Sequence, residues 1–229
     1  MGNVMCLPRL RHQEISIMMS NNVFKSVLAI SSIVLSSHVF AASAIEQLES
    51  LMAGFKSYSA EFEQYTKDDK GKKGEVSSGF MQVQRPNKFR WETTKPFPQL
   101  IVSDGQYIWI YDEDLAQATR KKVQPGESNG AALILNGDLK ALNKRFEITQ
   151  LLDKNNEKLF ELIPKQEGSF EKIQLFFADK VIRELLLVDI LGKQTTIILT
   201  KSKLNQKFKA SVFDFKAPKN TDVMIDEQE

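Results

Sequence analysis

Histidine and cysteine are nearly absent from this chain of 229 residues, and their positions limit its chemistry. The two histidines, His12 and His38, and the single cysteine, Cys6, all lie in the first 41 residues. Without them a protein builds no Ser-His-Asp triad, no Cys-His nucleophile pair and no ordinary zinc site. Residues 42–229 also have no disulfide framework and no cysteine for a lipid anchor. We therefore expect no metal ion and no cofactor beyond residue 41.

Nucleotide-binding motifs are also missing, since the sequence has neither a P-loop nor a glycine-rich dinucleotide fingerprint. Carboxylates remain, and Asp112, Glu113 and Asp114 form the most compact group. A solvated loop at a strand end is favoured over a metal or acid-base site for these three. The sequence thus predicts a protein that is not an enzyme, while a carboxylate-only enzyme stays open as an alternative.

The N-terminal segment is typical of a secretory signal peptide. After Met19 come one basic residue, Lys25, an apolar run at 27–35 and then small residues. The run is too short to span a bilayer. Residues 1–41 are predicted to be the signal peptide together with an over-extended N-terminus, with cleavage after Ala41 favoured over Ala44. The alternative is a buried or membrane-anchoring helix.

Charge is balanced in the remainder of the chain, residues 42–229. Residues 1–41 contain Arg9, Arg11, Lys25 and Glu14, which leaves 28 basic and 28 acidic residues of the 31 and 29 in the full sequence. The mature chain therefore has no overall basic field for nucleic acid or for an anionic membrane. We expect no nucleic acid among its partners.

Alternating apolar residues predict a β-rich fold. A helix with Ser43 as its N-cap is predicted at 43–56, and short strands with turn signals follow, the last of them at 208–215. The apolar stretch at about 126–143 interrupts the strands and predicts two short helices with a break at Gly137. The pattern indicates one antiparallel sheet, curled or partly closed, with a helical insert.

An arginine at the end of one strand contradicts the apolar pattern around it. With a period of two, Met81, Val83 and Arg85 share a face, and Phe89 and Trp91 share the facing side of the next strand. A buried charge without partners costs several kcal/mol. Arg85 therefore needs either internal acceptors or a carboxylate at the rim. Pattern alone favours a core role for the aromatic residues, including Trp109, over a ligand-lining one.

The order of several short motifs resembles the LolA family of periplasmic outer-membrane lipoprotein carriers, over about the whole mature chain. The matching residues are Phe62, Gln64, Gly79, Arg85-Pro86, Phe89, Trp91, Pro96, Gln99, Val102 to Gly105, Trp109, Tyr111, Asp114 to Thr119, and the closing stretch "FDFKAPKNTDVMI". The single pieces are unspecific, but their joint order and spacing are specific.

The resemblance implies a fold of class α+β, mainly antiparallel β. Residues 42–229 would form an incompletely closed β-barrel, with a lid of short helices at about 126–143 over a hydrophobic cavity. It also implies lipid-binding residues, namely Met81, Val83, Arg85, Phe89, Trp91, Trp109, Leu133 and Ile134. Arg85 would hydrogen-bond lid carbonyls near Leu133 and Ile134 in the closed state. The family's lid helix often begins with proline, whereas Gly130 stands at about that place here.

The function implied is that of a monomeric, soluble periplasmic chaperone. It would take the acyl chains of lipoproteins from an inner-membrane lipoprotein-releasing ABC transporter and deliver them to LolB, the outer-membrane acceptor lipoprotein. A lipid-binding sensor or regulator on the same barrel is the alternative. The acceptor itself is disfavoured, because it would need a lipidated cysteine after the signal peptide.

Overall fold

The structure, a computed structural model, describes residues 43–123, residue 134 and residues 139–226. The signal peptide predicted at 1–41 lies outside the described residues. So does the predicted lid insert, apart from Ile134 and residues 139–143. The domain boundary predicted at residue 42 therefore stays a prediction.

Twelve strands and two short helices make up the described fold. The helices are α1 (Ala44–Ala53) and α2 (Leu139–Arg145), and Ala210–Phe213 forms a 3-10 turn. The strands are β1 (Ser57–Lys67), β2 (Lys73–Gln84), β3 (Lys88–Lys95), β4 (Gln99–Ser103), β5 (Tyr107–Asp112), β6 (Gln117–Lys122), β7 (Phe146–Lys154), β8 (Glu157–Pro164), β9 (Phe170–Ala178), β10 (Val181–Asp189), β11 (Gln194–Leu204) and β12 (Asp222–Asp226). Ile134 is also helical.

All twelve strands join one sheet in the order β12-β6-β5-β4-β3-β2-β1-β11-β10-β9-β8-β7. Neighbouring strands are antiparallel except β6 and β12, which are parallel. Among the described residues the end strands β12 and β7 are not paired with each other. The sheet curls around its concave face without closing, which confirms the predicted mainly antiparallel, incompletely closed fold.

Helix α1 begins where the sequence predicts. The side chain of Ser43 accepts a hydrogen bond from the backbone of Glu46 at 3.4 Å, and Glu46 accepts one from the Ser43 backbone at 2.8 Å. This reciprocal pair satisfies two backbone donors at the helix start. Leu48 and Met52 are fully buried against the concave face of the sheet, and the buried apolar stripe fixes how the helix lies on it.

The main core fills the concave face and draws on both halves of the sheet. Its strand residues include Phe62 and Val83 on one half and Phe160 and Leu175 on the other. Tyr58 joins the halves, because its hydroxyl lies 2.9 Å from the Ile182 carbonyl and 2.8 Å from the Ser202 hydroxyl. Burial raises the pKa of Tyr58 to about 12. The tyrosine is therefore a neutral hydrogen-bonding member of the core at neutral pH.

The segment after β11 corrects the strand predicted at 208–215. Residues 205–221 form no strand but the 3-10 turn, and the last strand is β12. Phe213 is 2% exposed and Phe208 lies edge-on to it, with 5.8 Å between ring centroids. Phe215 packs against Trp109 and Tyr111 at 5.3 and 5.4 Å. These aromatic side chains are thus packed against one another or, for Phe215, against the sheet, although the segment does not pair as a strand.

Candidate functional site

An apolar surface crosses β2 and β3 on the concave face of the sheet. Met81 pairs with Trp91, and Val83 pairs with Phe89, so these four side chains point to the same side. Met81 and Val83 are buried, whereas Phe89 and Trp91 are half-buried and pack against the core. The structure therefore brings together four of the residues predicted to bind lipid.

Gly79 makes room for an aromatic stack on this surface. Phe62 pairs directly with Gly79, and the ring of Trp91 stacks on Phe62 with 4.1 Å between centroids and 26° between planes. A Cβ at Gly79 would lie 1.9 Å from the Glu92 carbonyl oxygen and 2.9 Å from Cε1 of Phe62. In the sequence, Gly79 is only one of the residues that match the family. No residue pattern indicates that the Glu92 carbonyl and the Phe62 ring lie so close to its Cα.

Arg85 ends this surface, and its guanidinium reaches the last turn of α1. One of its nitrogens donates to the carbonyl oxygens of Met52 and Phe55, the latter at 3.1 Å. The guanidinium carbon lies 3.9 Å from the centre of the Phe55 ring, which places a cation against an aromatic ring. The last carbonyls of a helix have no partner within the helix and carry partial negative charge. Arg85 therefore caps α1 from the sheet.

Burial lowers the pKa of Arg85 to about 10. The guanidinium consequently remains charged at neutral pH, and the α1 carbonyls compensate part of the loss of water. The described acceptors thus belong to α1 and the residues just after it. The hydrogen bonds predicted from Arg85 to lid carbonyls near Leu133 and Ile134 stay a prediction, because all of that segment except Ile134 lies outside the described residues.

Like Arg85, Asn205 acts as a clamp that holds the C-terminal end of α1. No residue pattern in the sequence indicated this role. The Asn205 side chain accepts a hydrogen bond from the Lys56 backbone at 2.8 Å and donates to the Gly54 carbonyl at 3.1 Å. Its own backbone donates to Ser57 at 2.9 Å, with φ at +56°. Asparagine tolerates this left-handed conformation better than most residues. The partners lie about 150 residues away in sequence, so no local pattern indicates the contact.

Trp109, which is also predicted to bind lipid, lies elsewhere. Trp109 pairs with Val102 of β4 and with Arg120 of β6, whereas Phe89 pairs with Ser103 of β4. Val102 and Ser103 are adjacent in β4, so they and their partners point to opposite faces of the sheet. Trp109 therefore points to the convex face, where Phe215 covers it. The structure does not bring Trp109 to the concave apolar surface. Ile134, by contrast, is fully buried in the same core cluster as Met81 and Val83. Leu133 lies outside the described residues.

The acidic group at 112–114 lies at the turn between β5 and β6. Asp112 accepts a hydrogen bond from the Gln99 side chain at 3.0 Å, and Glu113 and Asp114 are exposed. Within the described ranges, no three histidine, cysteine or carboxylate side chains are grouped so that they could hold a metal ion. In that same part of the chain, no helix is both long and apolar enough to cross a membrane.

Comparisons with known proteins agree with these features. A family model described as "Outer membrane lipoprotein carrier protein LolA" matches residues 53–216. A protein of Legionella pneumophila (strain Corby), named outer-membrane lipoprotein carrier protein, is 38% identical over 193 residues, which are 84% of this chain and 95% of the relative. A protein of the same name from Azotobacter vinelandii is 36% identical over 181 residues, covering 79% of this chain and 87% of the relative.

Among solved structures, an uncharacterized conserved protein from Thermus thermophilus has a similar fold, with a TM-score of 0.50 at 13% identity. The alignment covers 80% of this chain and 97% of that one, so the likeness concerns the fold alone. The family match spans well over half of the chain and includes β1 to β11 with the intervening α2. The chain therefore belongs to the LolA family of outer membrane lipoprotein carrier proteins.

Proposed function

We propose that this protein is a periplasmic carrier that covers the acyl chains of outer-membrane lipoproteins during their passage between membranes. Relatives that share a third or more of its residues over most of their length bear the name of such a carrier. The binding surface is the concave face of the sheet, with Met81, Val83, Phe89 and Trp91 at its centre. The activity is binding and transfer rather than catalysis.

The observation that carries this proposal is an apolar face covered by a helix whose C-terminal end is held by side-chain hydrogen bonds. Helix α1 buries Leu48 and Met52 on the concave face, and Arg85 and Asn205 hold its C-terminal end through hydrogen bonds to four backbone groups. Hydrogen bonds to backbone groups are exchangeable, because water or other hydrogen-bonding groups can replace them. The net cost is about 0.5–1.5 kcal/mol for a neutral pair and about 1.5–3 kcal/mol for a bond to a charged group such as Arg85. Moving the cover exposes apolar surface without breaking the sheet.

The physical need for such a carrier follows from the size of the cargo. Transfer of one CH₂ group from an apolar environment to water costs about 0.8 kcal/mol. Three acyl chains of about 16 carbons would therefore cost on the order of 35–40 kcal/mol if they entered water bare. A carrier must cover these chains and must also release them. The charged Arg85 beside the apolar surface keeps the affinity moderate, which favours release.

We further propose the partners that the family resemblance implies. An inner-membrane lipoprotein-releasing ABC transporter would load the carrier, and the acceptor lipoprotein LolB would unload it. The carrier would act as a monomer, with residues 1–41 removed on export. The cargo is recognised by its acyl chains, since the four side chains at the centre of the proposed surface are apolar and Arg85 stands only at its end.

Exchange of Phe89 for glutamate tests the proposed surface. Phe89→Glu places a charge on the concave face, which costs several kcal/mol wherever apolar chains must pack. We expect weaker acceptance or transfer of lipoprotein in a reconstituted release assay, with the fold retained by circular dichroism. The matched control is Phe80→Glu, because Phe80 is an aromatic residue of the neighbouring strand that is 52% exposed.

Three results would count against the binding surface. Lipoprotein acceptance and transfer that are both normal in Phe89→Glu would place the cargo elsewhere. Equal loss in Phe80→Glu would indicate a general effect of added charge. Unfolding of Phe89→Glu at room temperature would assign Phe89 to the core.

A further inference from the structure

One end of the sheet presents the most exposed large apolar side chains of the described residues. The strand directions place the turns at 68–72, 96–98, 113–116, 165–169 and 190–193 at this end, which we call the hairpin rim. The four largest exposures among such residues are Leu191 at 80%, Ile190 at 67%, and Phe97 and Leu115 at 65% each. All four lie on the hairpin rim, and Arg85 lies at the opposite end.

Lysines accompany two of these apolar tips. The β1–β2 turn adjoins the β10–β11 turn, since a Cβ on Gly192 would be 3.2 Å from the Asp69 Cβ. Exposed lysines in or beside these two turns and the β3–β4 turn are Lys70, Lys72, Lys73, Lys95 and Lys193. The mature chain is neutral as a whole, but its charges are unevenly placed. This local cluster does not show in the overall count.

The acidic residues of the same two turns are partly engaged by their own loops. Asp68 accepts from the backbone of Lys70 and Lys72 at 3.0 and 2.7 Å. Asp189 accepts from the backbone of Leu191 and Lys193 at 2.9 Å each. Asp69 is exposed beside them. These bonds hold the two turns in shape and leave the lysine ammonium groups at the surface.

The spacing of the apolar tips decides between a protein and a membrane as the partner. Phe97 and the pair Ile190–Leu191 are separated by four strand spacings, roughly 19 Å along the sheet. Between them lies the lysine-rich β1–β2 turn. A protein interface buries one continuous patch with an apolar centre. Separate apolar tips with lysines between them fit a fluid bilayer instead, where each tip enters the acyl boundary and the ammonium groups meet lipid phosphates.

We propose that the hairpin rim docks the protein reversibly on a phospholipid bilayer that contains anionic lipid. Ile190, Leu191 and Phe97 enter the headgroup region, and the neighbouring lysines contact phosphate groups. Leu115 shares the rim, but Glu113 and Asp114 precede it, so this tip stays at the water side. Docking of this kind goes beyond the carrier function, because it involves the bilayer itself rather than a lipoprotein.

Vesicle flotation tests the proposal. The protein recovered from cells, without added lipoprotein, is mixed with vesicles of equal parts phosphatidylethanolamine and phosphatidylglycerol. We expect the wild-type protein to float with the vesicles. The double substitution of Ile190→Ser and Leu191→Ser should lower the partition coefficient about tenfold, which corresponds to about 1.4 kcal/mol. Phe97→Ser should lower it less, since it removes one side chain instead of two.

Matched controls are Phe80→Ser and Ile225→Ser, because these residues are 52% and 55% exposed but lie away from the hairpin rim. They should float as the wild type does. Any contribution of residues 1–41 is common to all variants. Phosphatidylcholine vesicles and added salt should each weaken binding several-fold, because both remove attraction to the lysines.

Three outcomes would overturn membrane docking. The first is a wild-type protein that floats with no vesicle, in which case a protein partner remains the candidate for the hairpin rim. The second is rim variants that bind as strongly as the wild type, and the third is a loss of binding in the controls as strong as in the rim variants. Since no lipoprotein is present, none of these outcomes affects the proposed carrier function, which the Phe89→Glu assay tests separately.

Discussion

At the scale of single residues, the most demanding position in the candidate site is a glycine. Gly79 has no side chain, and this allows β2 and β3 to approach closely and Trp91 to stack on Phe62. Glycine is needed here because an added methyl group would have no space, and not because of its conformational freedom. Any larger residue has to push the Glu92 carbonyl away.

Gly79→Ala should therefore destabilise the protein, near the upper end of the about 1–3 kcal/mol typical of overpacking. The displaced β3 should also separate Trp91 from Phe62 and shift tryptophan fluorescence to longer wavelength. Chemical denaturation followed by fluorescence measures both effects. Gly168→Ala is the control, because only one atom, at 4.0 Å, comes near its added Cβ. A Gly79→Ala protein with unchanged stability would mean that β3 yields freely at this point.

At the scale of elements, helix α1 is a cover whose C-terminal end is held by distant residues. Arg85 comes from the end of β2 and Asn205 from the end of β11, and both bind backbone groups between Met52 and Lys56. The N-terminal end is fixed differently, through the capping pair of Ser43 and Glu46. The two ends can therefore be loosened independently.

Arg85→Leu should loosen only the C-terminal end of α1. Charge-assisted hydrogen bonds of about 1.5–3 kcal/mol are lost, so we expect faster hydrogen exchange in the last turn of α1 and little change in its first turn. Loading with lipoprotein should be normal or improved, because a charge leaves the apolar surface, and handover to the acceptor should be impaired. Exchange measured by mass spectrometry and a two-step transfer assay report the two effects.

Arg90→Leu is the matched control, since Arg90 forms a partly exposed ion pair with Glu92 at 2.7 Å. Such pairs contribute about 0–1 kcal/mol, and neither α1 exchange nor transfer should change. Reduced loading with normal handover in Arg85→Leu would contradict the role of Arg85 as a clamp. It would indicate instead that Arg85 contacts cargo or transporter.

Elements with a local signal were predictable from the sequence, and contacts between distant segments were not. Ser43 starts α1 as predicted, and the period of two placed Met81 and Val83 on one face with Arg85. The contact of Asn205 with Gly54 and Lys56 left no local pattern, because it depends on the pairing of β1 with β11. The strand predicted at 208–215 was wrong because one-sided burial on a sheet produces the same alternation as a strand.

At the scale of the whole molecule, one core spans most of the concave face of the sheet. The core includes α1, β1, β2 and β8 to β11, and Tyr58 bonds across from β1 to β10. Within this cluster of described residues, no boundary separates one half of the sheet from the other. The described fold should therefore unfold as one unit.

We expect a single unfolding transition, with the same Tm by tryptophan fluorescence and by far-ultraviolet circular dichroism. The two tryptophans report on different surfaces, because Trp91 lies on the concave face and Trp109 on the convex face. Trp109→Phe separates their signals, with Trp91 left as the reporter of the concave face. A fluorescence transition several degrees away from the circular dichroism transition would show that the halves unfold separately.

The lack of pairing between β12 and β7 in the described part of the chain has a mechanical consequence. A closed barrel has a radius fixed by its strand number and stagger, so its interior volume cannot change without broken backbone hydrogen bonds. A sheet with two free ends can flatten or tighten through small changes of twist, shared among its eleven strand pairings. Its curvature is thus an elastic variable, and the space it encloses adjusts to the bulk of whatever it holds.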